Sequence, residues 1–380
     1  MDNYLKSAIH KLYGDEEDFI VLGLTGKTGS GCSTVASILK NEHDQIKHAL
    51  FKGNNPKTND ERKEKIIGKF FDSSWKSFCI IQASAVLSLA LAEENEQDAL
   101  EYIENYLTAE NLPPLKDDAK IKLEGLLQEF KKTIESNKED TNKKDFYCET
   151  LIKFHETIKE IFEITVYVKL YQKLGTNIRK SGSPIKEEIN DGKFFTLAEK
   201  INSIIKNELK NEGGKTFIVI DSIRNPLEAI FFQERYAAFF LVAVSCPDTD
   251  RKDRLIKLNF TEKSIEKIDE QEYGNRKIND KATFYTQDIK TCLQKADIYL
   301  HNPNEDNESS KYVTLANQII RFVSLMKRPG LVTPTAIERC MQIAYTAKLN
   351  SGCISRQVGA VITDRNFSIK AVGWNAILST

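Results

Sequence analysis

The stretch Gly26-Lys-Thr-Gly-Ser-Gly-Cys-Ser-Thr34 carries the residue types that phosphate chemistry needs. Gly26, Gly29 and Gly31 leave the backbone free to turn several N–H groups toward one point, and a helix starting just after them adds the positive end of its dipole. Ser33 stands where such a loop places the hydroxyl that holds magnesium. The residue before it is Cys32, not the lysine that usually reaches the β- and γ-phosphates. Lys27, early in the loop, can supply charge from the other side, and Thr28, Ser30 and Thr34 complete the candidate nucleotide contacts. Phosphoryl transfer needs charge stabilisation that a thiol does not give. The loop therefore reads as one that holds a nucleotide more than one that moves its phosphate.

Positioning such a loop takes a buried strand before it and a helix after it. FIVLGLTG reads as the strand and STVASILKNE as the helix, the opening of an α/β domain with a parallel sheet. The same rhythm returns at TFIVID, a strand, NPLEAIFFQERY, a helix entered through proline, and the strands AFFLVAVSC and DIYLHN. Residues 75–92, WKSFCIIQASAVLSLALA, read as a buried helix. Residues 93–175 read as a helical insert, a solvated lid or shoulder ending in a long helix over 147–174. Residues 1–18 read as a leader helix, and SNKEDTNKKD as an exposed loop.

Four cations join the loop by position. Asp221 ends a strand where a magnesium-directed carboxylate belongs, and Arg224 follows it. Arg251 and Arg254, just after the next strand, resemble the lid arginines of small nucleotide kinases. Arg179, in the polar stretch LGTNIRKSGSP, reads as a contact to the base or phosphate of a second nucleotide. Asp269, Glu272 and Asp288 carry no assigned role beyond a possible helix cap at Gln287-Asp288.

MKRPGLVTPT, with two prolines and a glycine, reads as a linker over 327–334 between a first domain, 1–326, and a second, 335–380. The second contains a helix, the turn Ser351-x-Cys353-x-x-Arg356, a strand starting at Val358-Gly359, and a further strand ending Gly373-Trp374-Asn375. These residues resemble the opening of the cytidine/deoxycytidylate deaminase fold. With a kinase-like domain before it, the chain resembles the bacterial antiphage dCTP deaminases. That resemblance implies conversion of deoxycytidine nucleotides (dCTP or dCMP) to deoxyuridine nucleotides, with Asn375 on the sugar and Arg356 near the phosphates. It also implies a purine or deoxynucleoside triphosphate, with magnesium, in the first domain, restraint by an RNA or protein antitoxin, and a homo-oligomer. The family's zinc is held by H-x-E and P-C-x-x-C motifs. Neither is present, and they are expected after Thr380, so the chain reads as a fragment with no catalytic residue or zinc ligand of its own.

Composition sets the outer bounds. Net charge is −1, which gives no pull toward nucleic acid or an acidic membrane. No apolar run is long enough to span a bilayer, and the N-terminal stretch MDNYLKSAIHKLYGDEED shows no apolar h-region of a signal peptide. Seven cysteines without a pairing rhythm read as free thiols in a reducing cytoplasm. Two other readings compete: a deoxynucleoside monophosphate kinase, and a catalytically dead nucleotide-binding module.

Overall fold

β1 (Ile20–Thr25) is buried at every position, as expected for a strand covered on both faces. The computed structural model describes residues 19–136, 146–273, 282–305, 311–354 and 356–376; the expected leader helix and the SNKEDTNKKD loop lie outside them. After β1 come α1 (Cys32–Lys40), α2 (Asn59–Ser74), β2 (Cys79–Gln82) and α3 (Ala83–Glu93). The helices α4 (Glu96–Ala109), α5 (Asp117–Ser136), α6 (Leu151–Lys159), α7 (Ile164–Ser181) and α8 (Thr196–Asn211) lead to β3 (Phe217–Asp221). Then follow α9 (Pro226–Gln233), β4 (Phe239–Ser245), α10 (Asp248–Lys257), α11 (Glu262–Tyr273), α12 (Ala282–Tyr285), α13 (Ile289–Lys295), β5 (Ile298–His301) and α14 (Val313–Lys327). The last elements are α15 (Ala336–Lys348), β6 (Gly359–Thr363) and β7 (Ile369–Trp374).

The chain divides into two compact units. One is made of the residues up to Leu50 and of Gly68–Arg328, the other of Phe51–Ile67 and Pro329–Thr380. The division at Arg328 falls inside the expected linker. That Phe51–Ile67 belongs with the C-terminal segment was not expected from the sequence.

The larger unit holds a five-stranded sheet in the order β2-β3-β1-β4-β5, every pair parallel. From β1 the chain runs outward to β2, whereas from β3 it crosses to β4 on the far side of β1. Adjacent strands whose connections leave in opposite directions open a crevice at their carboxyl ends. The loop after β1 and the segment after β3 flank that crevice, with Leu24 opposite Asp221 in register.

Three expectations are corrected here. The apolar stretch 75–92 is not one helix: Cys79–Gln82 is an edge strand paired with β3, and the helix begins at Ala83. The long helix over 147–174 is two helices separated at residues 160–163, where the aromatic Phe162 turns into the core and Glu163 is extended. The insert is no solvated shoulder. Ala99, Ile103, Leu107, Leu123 and Leu127 are fully buried in the same apolar cluster as Val21, Ile218 and Leu241 of the sheet. At about 2 kcal/mol per buried aliphatic side chain, the insert is part of the core that holds the sheet. The cysteines differ as well. Cys79 and Cys148 form a disulfide that ties the start of β2 to the turn before α6, while Cys32, Cys246, Cys292, Cys340 and Cys353 are not in disulfides.

A polar chain runs through this core. His155 of α6 hydrogen-bonds the Ser88 hydroxyl at 2.8 Å through Nδ1 and the Tyr167 hydroxyl at 2.9 Å through Nε2, and Ser88 also meets the Tyr171 hydroxyl at 2.6 Å. Burial, with a smaller contribution from Lys159, pushes the imidazole down to about 3. The folded protein therefore keeps His155 neutral, while the unfolded chain takes up a proton below its ordinary value of 6.5. Stability from this residue is complete above pH 6.5 and declines as pH falls toward 3, with a slope of up to about 1.4 kcal/mol per pH unit. Urea unfolding between pH 7 and 4 checks this: His155→Gln lowers stability at pH 7 and flattens that part of the slope.

Candidate functional site

The loop between β1 and α1 is built so that its carbonyl groups point into the protein. Ser30 N–H bonds the Lys27 carbonyl at 2.9 Å, and Val35 N–H bonds that of Gly31 at 3.0 Å. Arg251 donates to the Thr28 carbonyl at 3.2 Å, and the Asn302 amide donates to the Ser30 carbonyl at 2.9 Å. Gly31, at φ 105°, has no room for a side chain against Asn302, and a Cβ on Gly26 would lie 2.5 Å from the Val244 carbonyl. No side chain caps α1. Its first turn, with Cys32, Ser33 and Thr34, thus opens at the crevice, and Ser33 is exposed there.

Across the crevice, the Ile223 N–H holds the exit of β3 to the Leu24 carbonyl at 2.7 Å. This sets Asp221 beside α1, near enough to the Ser33 hydroxyl for that group to draw the carboxyl's pKa down. Burial holds the Asp221 carboxyl above the usual range, although Ser33, Arg224 and Lys159 each pull it down. A hydroxyl and a carboxylate side by side are hard oxygen donors of the kind magnesium takes, so Ser33 and Asp221 are the residues that would hold it.

Arg224 does reach the loop. Its guanidinium lies 3.2 Å from the Thr28 hydroxyl and is paired with the buried carboxylate of Glu272. Glu272 also accepts the Thr28 backbone N–H at 3.0 Å and the Thr28 hydroxyl at 2.5 Å. Lys27 is drawn the other way, 3.6 Å from Asp248 and 4.6 Å above the ring of Tyr273. The expected role of Arg251 and Arg254 as phosphate clamps is not what their geometry provides. Arg251 is buried and bonded to the Thr28 carbonyl, to Asp269 at 2.6 Å and to Asp248 at 3.3 Å. Arg254 bonds the Asn302 carbonyl at 2.8 Å and the Asn304 side chain at 2.9 Å. Both brace the loop from behind.

Arg179 does not join the site. It lies in the last turns of α7, not in a loop, and makes a buried two-pronged pair with Glu228, at 2.7 and 3.2 Å. Asp288 is the N-cap of α13, accepting from Thr291 N–H at 2.9 Å. Glu272 and Asp269 are the functional residues that the sequence reading left without a role. A signal was present: Ile265, Ile268 and Glu272 share the inward stripe of α11, and a carboxylate at such a position requires a buried partner.

Cys32, in the place of the usual lysine, is a protected thiol. Burial pushes it up to about 12, Asp221 adds to this, and Arg224 and Ser30 oppose it. In the smaller unit, Asn375 is committed to its own loop. Its side-chain oxygen accepts from the Ser351 hydroxyl and the Val358 N–H, both at 2.7 Å, and its amide donates to the Arg356 carbonyl at 2.9 Å. Arg356 is itself exposed. The exposed Ile337, Met341 and Tyr345 line one side of α15 at helical spacing, and Ile362 lies open on β6.

A zinc ligand set is not found among the described residues of the smaller unit. In the larger unit the sulfurs of Cys79 and Cys148 and the carboxylate of Glu208 lie within 4.8 Å of one another. The two sulfurs are bonded to each other, so they are not the thiolates zinc requires. No helix among the described residues is long and apolar enough to cross a membrane. Comparison with family models, with curated proteins and with solved structures finds no match to this chain.

The state of Cys32 can be read by alkylation. At pH 8 a thiol held near 12 carries roughly a thousandfold less thiolate than an ordinary cysteine. Brief iodoacetamide treatment of the native protein followed by peptide mapping should label Cys340 and Cys353 and leave Cys32 unmodified until the chain is unfolded.

Proposed function

We propose that the larger unit binds a magnesium–nucleoside triphosphate, and that through this it regulates a deoxycytidine nucleotide deaminase of the cytoplasm whose opening helix and hairpin form the smaller unit. The observation that carries the first part is the proximity of the Ser33 hydroxyl and the Asp221 carboxyl beside the uncapped start of α1. Backbone N–H groups of the loop and the helix dipole would take the phosphates. Ser33 and Asp221 would hold the metal, which supplies the positive charge that Cys32 does not. Arg224 donates to the Thr28 hydroxyl at 3.2 Å.

Holding is favoured over transfer. The two arginines that a kinase would turn onto the moving phosphoryl group are bonded to backbone carbonyls and to carboxylates. Neither is free to stabilise charge in a transition state.

Support for the second part is narrower. The order helix, Ser-x-Cys-x-x-Arg turn, antiparallel hairpin and Gly-Trp-Asn matches the resemblance in the sequence. The ordered contacts of Asn375 with Ser351 and Val358 explain why those residues occur together. The residues in hand offer no zinc site, so no step of deamination is assigned to them. Deoxycytidine nucleotides are the substrate class the reading implies, with the nucleotide in the larger unit acting as a regulator rather than as a reactant.

Calorimetric titration of the full chain with ATP, GTP and dTTP, with and without magnesium, tests the first part. Binding should require magnesium, and Ser33→Ala or Asp221→Asn should weaken it by about tenfold or more. Because protonated Asp221 cannot hold the metal, affinity should fall as pH drops through its raised value, and Asp221→Asn should remove that dependence. ADP release with each deoxynucleoside monophosphate should stay at background; turnover would favour the kinase reading instead.

A further inference from the structure

We infer that Glu272 occupies the position of a nucleotide phosphate, so that α11 is an internal competitor which must leave the loop when the ligand binds. The inference rests on the reading of the loop as a nucleotide site, and deepens it.

Three donors converge on this one carboxylate: a backbone N–H of the loop, the hydroxyl of the same residue, and a guanidinium. Amide, hydroxyl and guanidinium together are what a phosphate oxygen takes at such a loop. Glu272 is fully buried in the arrangement. A phosphate and a carboxylate cannot share those donors, because two anions at hydrogen-bonding distance repel strongly where water is excluded. Either Glu272 or the ligand holds Thr28 and Arg224.

The neighbouring contacts follow the same pattern. Asp269, one turn earlier on α11, pairs with Arg251, and Tyr273, next to Glu272, lies under Lys27. One helix therefore engages three of the cations around the loop. The closed arrangement is also incompletely satisfied: the second carboxylate oxygen of Asp269 is buried and has no hydrogen-bond partner among the described residues.

The packing allows α11 to move as a piece. Its inward residues Ile265 and Ile268 do not join the large core. They form a small cluster with Leu255 and Phe260, on which Ile164 and Val168 rest. Four buried side chains are a small fraction of the apolar contact that holds the sheet, so displacing α11 leaves the core intact.

The test uses the full chain with magnesium and ATP, GTP or dTTP as probes. Glu272→Gln keeps the shape and removes the charge. It should raise affinity for the bound nucleotide by about tenfold or more, and Asp269→Asn should act in the same direction more weakly. In the wild-type protein, saturating nucleotide should increase hydrogen–deuterium exchange across Glu262–Tyr273. Unchanged or weaker binding by Glu272→Gln, with the wild type still binding, overturns the competition and leaves the nucleotide site standing. Should Glu272→Gln fail to fold, the exchange measurement decides alone, and added protection of α11 overturns the inference. No binding by either wild type or variant overturns the nucleotide reading, and the inference with it.

Discussion

The direction of the peptide groups between Gly26 and Ser33 is the constraint on which the rest of the site depends. Each turn of that loop must bury carbonyl oxygens, and a buried carbonyl without a donor is costly. The fold answers with long side chains brought from distant elements: Arg251 from α10, and Asn302 from just after β5. Asn302 is itself placed by its N–H on the carbonyl of Ser245, at 2.8 Å. With the carbonyls held inward, the open start of α1 turns toward the crevice. Arginines that a reader of the sequence would assign to the ligand are therefore needed to shape the loop that receives it.

Much of the frame was legible because it is written in local pattern. FIVI and FFLVAV are continuous apolar runs, which mark strands covered on both faces. The glycines, Ser33 and Asp221 are fixed in type by what they do. The strand β2 was not legible: in FCIIQASAVLSLALA nearly every residue is apolar or small, so neither period stands out, and only pairing with β3 separates strand from helix. The break between α6 and α7 carries no glycine or proline. It is set by where Phe162 can pack, which is a tertiary choice. Arg179 and Glu228 are 49 residues apart, and their pairing has no local trace. The Cys79–Cys148 bond spans 69 residues in the same way.

Electrostatics explains how a chain of nearly neutral net charge could carry the proposed phosphate site without advertising it. The cations around the loop have nearby partners: Lys27 with Asp248, Arg224 with Glu272, Arg251 with Asp269 and Asp248. Charges buried in pairs are far less costly than charges buried alone. The same pairing leaves little free positive potential at the loop, so on the proposed reading a triphosphate would either bring a cation or exchange partners with a carboxylate already there.

The replacement of lysine by Cys32 then acquires a physical sense. A lysine at that position would lie beside Asp221 and Arg224, the groups whose fields act on the thiol. It would add a second fixed cation next to Arg224, and it would compete with the metal for Asp221. A smaller, partly buried thiol, held protonated, occupies the position without charge. On the proposed reading it would leave Asp221 to a metal and Arg224 to its carboxylate partner. Charge at the loop is in this way made conditional on what is bound, where a lysine would have made it permanent. Such a site is suited to reporting whether a metal–nucleotide complex is present, and poorly suited to the constant electrostatic pull that phosphoryl transfer demands.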